Sequence, residues 1–137
     1  MSARSFFARR QTALKLAATL YVFLLIASHS SLPSAHVWLI AGVFSVVMNG
    51  VYITEALSRG QHVRTEAAVA GILVAVSLLG MFVWPPFVIA AVFGHGLWDL
   101  AKHRGAGISF FSWYTFSCCG VDMLYGASLL VYWLFHT

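Results

Sequence analysis

Charge is scarce in this sequence. Only 9% of its 137 residues are charged, and four are acidic: Glu55, Glu66, Asp99 and Asp122. Soluble domains carry about 25% charged residues, so a globular surface facing water is excluded. Cysteine is limited to the adjacent pair Cys118 and Cys119. That excludes a disulfide framework and implies free thiols. Proline occurs three times, at Pro33, Pro85 and Pro86, where it punctuates apolar segments and does not interrupt them. No repeat or low-complexity tract is present. The longest polar stretch, "EALSRGQHVRTE" (55–66), reads as a solvated connector.

What the chain has in abundance is apolar surface: 61% of residues are hydrophobic and the mean hydropathy is +0.85. A spanning helix needs roughly 17 to 25 mostly apolar residues. Five segments approach that length, at about 13–30, 36–55, 67–83, 86–103 and 113–135. The fold class expected is therefore all-α, a polytopic membrane helical bundle in which residues 1–137 form one integral membrane domain. Lys15 lies inside the first segment and must snorkel to the interface. Reading residues 1–30 as a cleaved signal peptide is disfavoured, because no small-x-small site closes that run. On the third segment, Ala67, Gly71 and Ala75 form a small-residue stripe suited to close helix packing.

Eight Lys and Arg residues outnumber four Asp and Glu, a balance that can indicate nucleic acid until positions are read. Arg4, Arg9, Arg10 and Lys15 precede or open the first segment. Arg59 and Arg64 lie between the second and third, and Lys102 and Arg104 between the fourth and fifth. With five spans all eight fall on one side, which implies an integral membrane protein with a cytoplasmic N-terminus and a C-terminus on the opposite side. The partners expected are the lipid bilayer and, from the aromatic-rich "YGASLLVYWLF" (125–135), a homo-oligomer or a larger membrane complex; no nucleic-acid partner is expected.

Against this background the stretch "GHGLWDLAKHR" (94–104) is unusual. His95, Asp99 and His103 recur at i, i+4 and i+8, each displaced by about 40° from the last, so they form a ladder on one helix face. His95 lies about 12 Å deeper than His103. On the next segment "SCCGVD" (117–122) places Asp122 about 13 Å beyond Trp113. A short loop joins these segments, so His95 and Asp122 are expected to meet. Ionisable groups at that depth cost at least roughly 2.5 kcal/mol, so they are expected to have partners or a function.

Imidazole and carboxylate suit Zn, Fe or Mn. The candidate metal ligands are His95, Asp99 and Asp122, with His103 at the mouth of the site, because a straight helix cannot bring both imidazoles to one ion. Trp98, Cys118, Asn49 and Tyr52 are supporting residues, Asn49 being expected chiefly as an interhelical hydrogen bond. A proton- or cation-relay ladder is the alternative chemistry, and a structural alternative is a His95–Asp122 pair that joins two helices. The classes that follow are a metal- or proton-binding membrane protein acting as a small enzyme, an oligomeric transporter or channel subunit for a small solute or ion, and an accessory subunit. Histidine-box hydroxylases, aspartate-rich prenyl or phosphoalcohol transferases and haem proteins are disfavoured, since their residue clusters are missing.

The residues His95, Trp98, Asp99 and His103, followed by Cys118 and Asp122, resemble the pattern His-x-x-Trp-Asp-x-x-x-His then Cys-x-x-x-Asp of a small family of bacterial membrane proteins. The resemblance spans residues 90–130 and implies a membrane protein and these site residues, with no activity attached. Where that pattern often has a further histidine, this chain has Lys102, which argues against a histidine-rich metal site at the cytoplasmic edge.

Overall fold

The computed structural model describes residues 8–136; Arg4, among the basic residues expected at the cytoplasmic end, lies outside them. Among the described residues, the helices from Gln11 onward are α1 (Gln11–Ser28), α2 (Ser34–Met48), α3 (Gly50–Arg59), α4 (Val63–Phe82), α5 (Pro86–His103) and α6 (Ser112–His136). No strand occurs among the described residues. The fold is an all-α bundle. α2 and α3 run on as one segment, Ser34–Arg59, interrupted at Asn49, whose side-chain amide donates to the Ser45 carbonyl one turn back. Asn49 thus bonds within its own helix instead of across to another. A side chain that bonds the i−4 carbonyl competes with the local ladder.

Among the described residues, four segments are long and apolar enough to cross a membrane: Gln11–Ser28, Ser34–Arg59, Val63–Phe82 and Ser112–His136. α5, expected as a fifth, is not among them. Its polar residues, His95, Asp99 and Lys102, lower its hydropathy. They are tolerable because the helix is enclosed, packing against α2, α4 and α6. Pro86 at its start has no N–H to leave unbonded, which suits a first turn. Its buried face follows the helical period through Val88, Val92, His95, Asp99 and Lys102.

Small residues set the packing distances, but not the expected ones. Ala67, Gly71 and Ala75 are exposed, and a side-chain carbon at Gly71 would meet nothing within 4 Å. The close approaches of α4 are made on another face. Ser77 exchanges a 2.7 Å hydrogen bond with Ser45 of α2, and Gly80 lies directly against Val88 at the start of α5. Because the clash at Gly80 would involve the Val88 backbone, Gly80→Ala is expected to cost roughly 1–3 kcal/mol in a reversible unfolding assay, whereas Gly71→Ala is neutral or slightly stabilising.

The helix ends sort by chemistry. Lys15 lies 4.9 Å from the Trp113 ring, Arg59 donates to Ser109 and Lys102 donates to the Ile108 carbonyl. Basic residues from three segments therefore gather at the α5–α6 connection and the first turn of α6. The opposite end is aromatic: Trp38 and Trp84 each contact Trp133, and His29 bonds the Tyr125 hydroxyl at 2.8 Å. Tyr125, Tyr132 and Trp133 pack into this core. The aromatic content of α6 is thus largely used inside the chain and gives little support to self-association. Exposed Leu16, Leu24, Ile72, Phe82, Leu97 and Leu134 give the bundle an apolar exterior on several helices.

Candidate metal centre

α5 and α6 face each other along their buried stripes, with α6 contributing Thr115, Asp122, Tyr125 and Leu129. Gly96 permits this contact: a side-chain carbon there would lie 2.6 Å from Met123 Cε and 3.0 Å from Asp122 Cβ. The result is the expected meeting of His95 and Asp122, with 2.8 Å between His95 Nδ1 and Asp122 Oδ2. Asp99 Oδ2 is 3.3 Å from the same nitrogen. That contact lacks hydrogen-bond geometry, so Oδ2 counts as unpartnered. One imidazole nitrogen thus faces two carboxylates. Ligand atoms of His95, Asp99 and Asp122 all lie within 4.8 Å of one another, and the three residues are 3%, 0% and 1% exposed.

Tyr52 joins this cluster from α3, its hydroxyl donating to Asp99 Oδ1 and its ring running nearly parallel to His95. The other ring nitrogen, His95 Nε2, is buried without a partner. A buried polar atom left unbonded typically costs about 1–3 kcal/mol; the two carboxylates contact Nδ1 of the same ring.

His103 does not guard the site. It is exposed and contacts the Phe116 ring, because an i+8 residue has drifted about 80° from His95 whereas i+7 returns to within about 20°. The i+7 residue is Lys102, and it is buried. Lys102 pairs with Glu66, which also accepts from the Ile108 backbone N–H at 2.9 Å and from Trp98 Nε1 at 3.2 Å. Trp98 therefore supports this second polar cluster and not the candidate ligands His95, Asp99 and Asp122. Lys102 Nζ lies 4.5 Å from the Tyr52 ring, so Tyr52 links the two clusters.

The 55–66 stretch is not a plain solvated connector. Glu55 and Glu66 are both 1% exposed. α3 reaches Arg59 before Gly60 and His62 turn the chain through left-handed φ of 63° and 55°, so α4 starts early enough to bury Glu66 in its first turn. Gly107, also left-handed at φ 63°, closes over this pair; a side-chain carbon would be 2.9 Å from Lys102 Nζ. The legible signal for Lys102 was its i+7 spacing from His95. Nothing local marked Glu66 or Gly107.

Asn49 lies outside the ligand cluster. Cys118 is half-buried and lines a cavity of about 410 Å³ together with His95 and Asp122. No known protein family, curated protein or solved structure matches the chain.

Proposed function

We propose that this is a multi-pass inner-membrane protein whose His95, Asp99 and Asp122 bind one divalent metal, zinc, iron or manganese, reached from the cytoplasmic side. The observation carrying this reading is the convergence of three buried ligand atoms within 4.8 Å on two helices. Tetrahedral ligands at zinc distances are separated by roughly 3.3–3.5 Å; the 2.8 and 3.3 Å contacts to His95 Nδ1 lie near that spacing, and with the three ligand atoms within 4.8 Å of one another closure on an ion calls for side-chain adjustment of up to about 1 Å. A neutral imidazole and two carboxylates balance a dication. Three protein ligands leave positions for water or substrate, as in catalytic rather than structural sites, and a small enzyme acting on a membrane-soluble compound follows. The resemblance to the bacterial membrane family belongs to the same reading, since its pattern contains all three ligands.

Protein purified without chelators should carry a stoichiometric divalent ion by elemental analysis. Asp122→Asn and Asp99→Asn should each weaken affinity by about 100-fold or more, exceeding the 10- to 100-fold typical of supporting residues. Metal-free protein after exposure to all three ions would overturn the assignment. A proton-relay or transport role is the second reading, favoured by the single nitrogen between two carboxylates; pH-dependent flux through metal-free protein in liposomes would establish it. Self-association and membership of a larger complex belong to that reading and are checked by mass in nanodiscs.

The orientation proposed follows from the basic residues at the α5–α6 end. A reporter active only in the periplasm should work after Thr137, and one active only in the cytoplasm should work after Gly60. A cytoplasmic Thr137 refutes five crossings.

A further inference from the structure

The cavity beside the candidate metal centre has a polarity that suggests its occupant. It lies among α1, α2 and α6, with His95 reaching it from α5. Its lining runs from Leu14 to Val22 on α1, about 12 Å at 1.5 Å per residue, and from Trp113 to Asp122 on α6. It is therefore an elongated space parallel to the helices. At about 410 Å³ it falls within the roughly 300–1,000 Å³ of small-molecule sites.

One end holds Lys15, the cationic lining residue, held over Trp113 at the basic end of the bundle. The other end holds Asp122 and His95, the latter 3% exposed with Nε2 unpartnered. Between them the walls are largely apolar, including Val22, Phe44, Met48 and Val121. Ala18, Thr19 and Tyr21 line the cavity yet are themselves exposed, so among the described residues it opens sideways beside α1, where bilayer lipid would stand.

We propose that this cavity binds a single-chain amphiphile with an anionic headgroup, a carboxylate or a phosphate, entering laterally. Its head sits at Lys15 and its chain runs down the cavity, presenting a mid-chain segment to His95 and Asp122. The opposite orientation would place an anion against Asp122 and an apolar tail at Lys15. That the amphiphile is a substrate rests on the metal reading; that it occupies the cavity does not.

The test uses the full chain in nanodiscs and a long-chain fatty acid carrying a mid-chain diazirine, with the corresponding alcohol as a neutral probe. Photolysis should label the lining of α1 and α6, and excess unlabelled fatty acid should compete it away. Lys15→Glu should weaken labelling by the acid about fivefold and leave the alcohol unchanged. Ala18→Trp, which fills the open wall, should reduce both. Competition by an alkyl phosphate against the fatty acid identifies the preferred head.

Labelling that does not saturate, or that is equal on the exposed face of α4, overturns the proposal, as does a Lys15→Glu protein that binds both probes normally. Metal content measured on the same samples separates the two readings. Metal without saturable labelling sinks only the amphiphile, while saturable labelling without metal leaves the cavity assignment standing and removes the metal.

Discussion

Lys102→Met is expected to lower stability by roughly 3–5 kcal/mol, because it strands a buried carboxylate. Glu66 is 1% exposed and would retain only the Ile108 and Trp98 N–H donors. The paired change Glu66→Gln with Lys102→Met should recover part of that loss. Glutamine leaves no charge and its one carbonyl oxygen can still accept from the Ile108 N–H, while the Trp98 N–H, which reaches the other oxygen of Glu66, loses its acceptor; replacing both members of a buried pair is often neutral or better. Reversible unfolding in bicelles, followed by helix content, measures all three proteins. Equal losses for the single and the paired substitution would show that charge pairing is not what Lys102 supplies. The effect is structural in origin: the pair anchors the loop through Ile108, which is 1% exposed, and through Gly107.

The second large effect concerns His95 and Asp122. Measured with chelator present, His95→Leu and Asp122→Leu should each be destabilising. His95→Leu leaves two carboxylates without their shared imidazole and should approach the 3–5 kcal/mol expected when a buried pair is broken. The double substitution should cost less than the sum, with a coupling of about 1–3 kcal/mol, since the two side chains share one contact. Strict additivity would contradict the 2.8 Å contact. Repeating the cycle with metal present separates a working site from a helix joint. A metal-binding centre predicts an ion-dependent gain in stability for the parent protein that both single variants lose. A purely structural pair predicts the same coupling whether or not metal is added.

The sequence alone determined the all-α class and the convergence of His95, Asp99 and Asp122. Scarce charge and five apolar stretches called for helices able to cross an apolar solvent, because only helices satisfy their own backbone within one short segment. The i, i+4 spacing of His95 and Asp99, and the equal depths of His95 and Asp122 across a short loop, required that these residues approach if α5 and α6 were neighbours, and they are. Tyr52 was also named from the sequence, at i+3 from Asn49 on the second segment; it reaches Asp99, whereas Asn49 bonds the Ser45 carbonyl of its own helix.

Only tertiary structure decided the rest. That α5 is enclosed depends on which helices surround it, and helix periodicity does not encode spatial order. The assignments of His103 and Lys102 exchanged places because a difference of one residue turns a side chain by about 100°, and only the packed neighbours show which side is interior. Glu66 looked like part of a solvated connector because its partners lie 36 and 42 residues away, in Lys102 and the Ile108 backbone. The stripe of Ala67, Gly71 and Ala75 offered a face for close packing, yet Ser77 and Gly80 made the contact. Small residues permit two helices to approach, but the partner's shape and hydrogen bonds select the face that is used.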